Sequence, residues 1–135
     1  MKKIKQTVKF KASPHKVYEA IMDEKKHEAF TGAPCKMSRD VGGKFSCYGD
    51  YIKGKNVELV KDKKIVQRWI GEDFPKGAES IVTFELKDGK KGETVLKFTH
   101  ENIPDKLAEH IDKGWKEHYW DKMQEFFESD YEDKF

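Results

Sequence analysis

The period of the hydrophobic positions changes twice along this chain. Ile4, Val8 and Phe10 share parity and alternate with lysines, the pattern of a half-buried strand, so Ile4 to Phe10 is predicted as strand one. Ser13-Pro14 then joins an N-cap residue to the residue that favours the first helical position. Val17, Tyr18 and Ile21 recur behind it at helical spacing. Asp23 can cap a second short helix through Phe30, and Gly32, Ala33 and Pro34 close it.

From Cys35 to His100 the alternation returns, broken by turn residues at Gly42-Gly43, Gly49-Asp50, Lys61 to Lys63, Pro75 to Gly77 and Lys87 to Gly92. The runs between them are Lys36 to Ser38, Lys44 to Tyr48, Tyr51 to Val60, Lys64 to Glu72, Ser80 to Leu86 and Glu93 to His100. They predict six further strands in an antiparallel meander. Beyond Pro104-Asp105, Leu107, Ala108, Ile111, Trp115, Tyr119, Met123, Phe126 and Phe127 recur every three or four positions, which predicts one long amphipathic helix. The acid-rich tail from Glu128 to Phe135 is expected to fray.

A sheet of seven strands must hide one face, and the terminal helix is the only predicted element long enough to cover it. The expected fold is therefore α+β and of helix-grip type. In it a curved, antiparallel seven-stranded sheet wraps around a long C-terminal helix, with two short helices after strand one. A length of 135 residues with 36% hydrophobic composition suits one domain over residues 1–135, with no room for a second core.

A sheet that closes around a helix touches it incompletely, so a gap for a small apolar ligand is expected between them. Its candidate lining is Phe45, Tyr48, Trp69, Phe84, Phe98, Ile111, Gly114, Trp115, Tyr119 and Met123. The same aromatic side chains could instead fill the gap, and the sequence leaves both outcomes open. Gly114 is informative because a glycine inside a helix costs about 1 kcal/mol relative to alanine. Close approach of a strand or of a bound molecule would explain it, as would tight packing alone.

Charge narrows the partners. Lys and Arg number 27 against 25 Asp and Glu, and Arg39 and Arg68 are the only guanidinium groups, so a nucleic-acid surface is not expected. Bases outnumber acids in residues 1–64 and acids outnumber bases in residues 100–135. That asymmetry fits an acidic helix lying over basic strands, or two charged faces for a protein partner. Cys35 and Cys47 lack the second pair or close ligand spacing of a structural metal site and are expected to be free, buried thiols. No metal or cofactor is expected. With no signal-peptide pattern and no apolar run long enough to span a bilayer, membrane insertion is not expected and the protein is placed in the cytoplasm.

Catalytic chemistry finds little support. His100, His110 and His118 are the candidate acid–base groups, but none has a partner constellation. His110 and His118 are expected in solvent, and His100 is expected to be a capping hydrogen-bonder at a strand end near the cavity mouth. There is no nucleophile elbow, and Gly42-Gly43, Gly89 and Gly92 sit in hairpin contexts rather than phosphate-binding turns.

A set of ordered motifs carries a resemblance over Phe10 to Phe127: Glu28-Ala29-Phe30-Thr31-Gly32-Ala33-Pro34, Gly42-Gly43-Lys44-Phe45, Ile65-Val66-Gln67-Arg68-Trp69, Gly92-Glu93-Thr94, Ile103-Pro104 and Gly114-Trp115. Together they resemble the activator of heat-shock protein 90 ATPase family. More distantly the chain is similar to the START-like (SRPBCC) helix-grip superfamily of lipid carriers, aromatic polyketide cyclases and the birch pollen allergen. The resemblance implies the fold already expected. It looks like the C-terminal domain of the eukaryotic co-chaperones, in which a preceding domain supplies much of the chaperone contact. Three functions follow as expectations: a non-enzymatic module that binds an apolar ligand, a co-chaperone that binds a heat-shock protein 90 homologue, and a cyclase-like enzyme in which His100 or Tyr119 moves a proton.

Overall fold

The computed structural model describes residues 1–128, so the expected fraying of the tail from residue 129 onward lies outside the described residues. Its elements run β1 (Lys2–Phe10), α1 (Pro14–Met22), α2 (Glu24–Thr31), β2 (Cys35–Met37), β3 (Lys44–Cys47), β4 (Ile52–Val60), β5 (Lys64–Gly71), β6 (Ser80–Asp88) and β7 (Thr94–Ile103). A 3-10 turn at Asp105–Leu107 leads into α3 (Ala108–Trp115), a π-helical turn (Lys116–Trp120) and α4 (Asp121–Glu128), which follow one another without interruption.

The seven strands form one antiparallel sheet in the order β1-β7-β6-β5-β4-β3-β2. Strand alternation sets its two faces. Ile65, Gln67 and Trp69 of β5, Ser80, Val82, Phe84 and Leu86 of β6, and Leu96, Phe98 and His100 of β7 are all buried. The intervening Arg68, Ile70 and Ile81 face solvent. The C-terminal helical segment lies in the concave face. Trp115, only 8% exposed, packs its ring 4.4 Å from Phe98 and 6.1 Å from Trp69, centroid to centroid.

Local chemistry explains the short helices. Ser13 Oγ accepts from the Lys16 amide at 3.3 Å with Pro14 in the first turn, and Asp23 Oδ1 accepts from the Lys26 amide at 3.0 Å. Gly32 ends α2 at φ 74°, a left-handed conformation that favours glycine. Helix α2 then seals the sheet at its β2 edge. Glu28 Oε2 and Glu24 Oε1, one turn apart, accept from the Cys35 and Met37 amides, each at 2.8 Å.

The sheet is also tied to the C-terminal segment by polar contacts. Gln6 of β1 donates to Asp112 Oδ1 at 2.8 Å and accepts from the Trp120 indole at 2.6 Å. The π-helical turn carries the Asp121 amide to the Lys116 carbonyl and places Trp120 over Trp115, rings 5.6 Å apart and nearly parallel. Tyr119 and Trp120 are thereby both buried, at 7% and 3% exposure, although consecutive residues of a regular helix diverge by about 100°. Among the described residues no helix is long and apolar enough to cross a membrane.

Candidate functional site

The helical segment leaves part of the concave face uncovered, and a cavity of about 340 Å³ opens there. β3, β4 and β5 supply Phe45, Cys47, Ile52, Gln67 and Trp69; the helical segment supplies Ile111, Gly114, Trp115 and Tyr119. Eight of the ten residues expected along the gap border it: Phe45, Tyr48, Trp69, Phe84, Ile111, Gly114, Trp115 and Tyr119. Phe98 and Met123 are buried at 1% and 0% exposure but lie outside the wall, packed deeper between sheet and helix. Tyr51, Asp73, His110 and His118 add polar groups, with His110 and His118 exposed as expected. The Tyr51 hydroxyl donates to Asp73 Oδ2, which raises the phenol to about 12.

Gly114 does not serve close packing. A Cβ built on it would meet no atom within 4 Å outside its own stretch of helix, so neither a strand nor a tight contact accounts for it. Its bare backbone borders the cavity. Gly54 of β4 is the opposite case, because a methyl there would overlap the Arg68 carbonyl oxygen and the Phe45 ring.

His100 departs from its expected place. It lies inside β7, which continues to Ile103 and is covered on its outer side by β1, and it is fully buried and does not border the cavity. The Trp115 indole N–H donates to Nδ1 at 3.0 Å, so Nε2 carries the ring proton and donates to Ser80 Oγ at 2.7 Å. Ser80 in turn donates to the Trp69 carbonyl at 2.8 Å. Burial lowers His100 to about 3, leaving a neutral ring that links sheet to helix. Tyr119, the other proposed proton carrier, bonds His27 Nε2 at 3.0 Å, and burial pushes its phenol up.

His27 was not among the sequence candidates. It stands in the charged run Glu24-Lys25-Lys26-His27-Glu28, yet it is 1% exposed and packs its ring 5.0 Å from Phe30. The signal that would have found it is the three-residue spacing to Phe30, which puts both on one helix face. Cys35 and Cys47 are free and buried, as expected. They face each other across the β2–β3 ladder with sulfurs 3.9 Å apart. With Cys47 as donor, that contact lowers Cys35 to about 6 against the opposing effect of burial, while Cys47 is pushed up.

Similarity to known proteins covers most of the chain. The profile of the family described as Activator of Hsp90 ATPase homolog 1-like protein matches residues 11–128. An activator of 90 kDa heat shock protein ATPase homolog from Dictyostelium discoideum is 34% identical over 126 residues, 93% of this chain and 33% of that protein. The human homolog 1 is 31% identical over 118 residues, 87% of this chain and 35% of that protein. The chain thus spans about a third of the length of these relatives. The crystal structure of an HSP90 activator from Plasmodium falciparum superposes with a TM-score of 0.82 at 29% identity, covering 87% of this chain and 89% of that one. The Aha1 dimer of Colwellia psychrerythraea, 20% identical, shares the fold with a TM-score of 0.77, over 94% of this chain and 96% of that one. On the span of the family match and the identity of these relatives, the chain belongs to the activator of Hsp90 ATPase homolog 1-like family.

Proposed function

We propose that this family member is a non-enzymatic binding module that holds a small, largely apolar molecule between sheet and helix. The observation that carries the reading is the cavity itself. At about 340 Å³ it falls in the range of small-ligand sites, about 300–1,000 Å³, and Gly114 faces it with open space where any larger residue would intrude. Phe45, Trp69, Phe84 and Trp115 would contact the body of the ligand. His110, His118 and Asp73 would meet a polar end. Native mass spectrometry of the purified protein, followed by a panel of aromatic and fatty compounds read by tryptophan fluorescence and thermal shift, tests the proposal. The expected result is a ligand of defined mass, or a panel compound that perturbs Trp69 and Trp115 and raises Tm. A protein that carries nothing and responds to no compound overturns it.

A second reading is favoured by the relatives, which are described as activators of the Hsp90 ATPase. The solved Plasmodium chain with that description is matched over 89% of its length. In this reading the surface of the module binds an Hsp90 homologue. Titrating the protein into such a chaperone while following ATP turnover tests it. Unchanged turnover at high micromolar concentration rejects it.

A further inference from the structure

We propose that His27, Cys35 and Cys47 form a zinc-binding site in the wall of the cavity, a site that goes beyond the apolar-ligand reading and does not depend on it. The three side chains come from α2, β2 and β3, and their donor atoms all lie within 4.8 Å of one another. The 3.9 Å between the sulfurs is far from a disulfide bond of about 2.05 Å. It is close to the separation of about 3.8 Å that two thiolates take on one tetrahedral ion with bonds of about 2.3 Å.

The backbone makes this convergence hard to avoid. Ser38 N–H bonds the Lys44 carbonyl, which makes Cys35 and Cys47 a pair without ladder hydrogen bonds of their own, the arrangement that brings side chains closest. Glu24 and Glu28 fasten the helix that carries His27 onto the strand that carries Cys35. The donors are therefore positioned before any ion arrives.

His27 supplies the independent observation. Its Nδ1 is the one buried side-chain nitrogen or oxygen among the described residues without a hydrogen-bond partner, and the residue is 1% exposed. Leaving such a group unpaired costs about 1–3 kcal/mol, so its persistence in the core calls for a reason. In the tautomer whose Nε2–H donates to the Tyr119 oxygen, 3.0 Å away, Nδ1 carries a free lone pair. A metal-bound histidine is held in the same way, with one nitrogen on the ion and the other fixed by a neighbour.

Charge selects the ion. Two thiolates and a neutral imidazole around a divalent cation have no net charge, which spares a buried cluster the cost of an isolated ion. A monovalent ion such as copper(I) would leave one negative charge uncompensated. Zinc accepts two Cys and one His with a fourth position open to solvent or substrate. His27 and Cys47 both border the cavity, so that position is served from there. Binding forms two metal–sulfur bonds and one metal–nitrogen bond, and the two thiol protons pass to solvent without any oxidant.

The test is a titration of the reduced, oxygen-free protein with zinc chloride against a chromophoric chelator, and with cobalt(II) as a spectroscopic substitute. One ion per chain is expected, together with thiolate-to-cobalt charge transfer and the intense visible bands of a four-coordinate ion. Cys35→Ser and Cys47→Ser should each weaken zinc binding by more than about a hundredfold, and His27→Gln by about ten- to a hundredfold. Equal chelator competition by the natural protein and the double Cys35→Ser/Cys47→Ser variant overturns the site. A cobalt spectrum of the natural protein without thiolate charge transfer does so too, whether or not the variants fold. Retention of copper(I) against a chelator that strips zinc overturns the choice of ion.

Discussion

Protonating His100 would break the chain of bonds that joins sheet to helix, because Nδ1 already accepts the Trp115 indole proton. Burial lowers this histidine to about 3, below its ordinary 6.5, so the unfolded chain binds the proton first as the pH falls. The stability tied to the neutral ring is then fully present above about pH 6.5 and is lost as pH drops from 6.5 towards 3. Denaturant unfolding at pH 7 and pH 5 should differ by up to about 2 kcal/mol from this group. His100→Gln should remove that part of the difference, and an equal pH response in the variant would show that the loss arises elsewhere. The residue was legible as strand, but not its partners. The alternation that marks β7 stops at His100, because Asn102 is exposed and Ile103 buried, and the strand runs on only through the pairing of Ile103 with Lys2 of β1, a contact of high sequence separation. His27 is harder to read because it is one inward residue among four charged neighbours, marked only by its three-residue spacing to Phe30.

At the scale of elements, the strands, the caps and the long terminal segment followed from period and punctuation, because each depends on residues close in sequence. Ser13, Asp23 and Gly32 act where their chemistry predicts. The π-helical turn was not legible. Its five-residue spacing between Trp115 and Trp120 is set by the fit of two indoles against Phe98, which no local pattern encodes. The two interior glycines separate the roles that one residue type can have. Gly114→Ala adds a methyl into open space and gains helix propensity, so it should stabilise the protein by about 0.5–1 kcal/mol in urea unfolding. Gly54→Ala forces a methyl onto the Arg68 carbonyl and the Phe45 ring, and should cost more than about 2 kcal/mol. A destabilised Gly114→Ala would mean that the helix backbone is packed more closely there than the open space implies.

For the whole molecule, the helix-grip architecture separates an inner and an outer binding surface, and this makes the two functional readings independently testable. The cavity lies on the concave face, whereas Lys53, Lys55, Arg68, Ile70 and Ile81 are brought together on the other face by the register Lys53↔Ile70, Lys55↔Arg68 and Arg68↔Ile81. A basic, partly apolar patch of this kind suits an acidic protein surface, and it contains part of the lysine excess of the first half of the chain. Gly114→Leu places a side chain in the cavity on a helix that favours leucine, without touching the outer face. It should abolish the stabilisation by an apolar ligand, about 2.7 kcal/mol at a ligand concentration a hundredfold above Kd, and leave any effect on chaperone ATP turnover unchanged. Lys55→Glu combined with Arg68→Glu should do the reverse, weakening a chaperone contact in a salt-dependent way while ligand uptake persists. Parallel loss of both responses in Gly114→Leu, with the fold intact by circular dichroism, would mean that cavity and outer face are coupled through the sheet, and that occupancy of one controls the other.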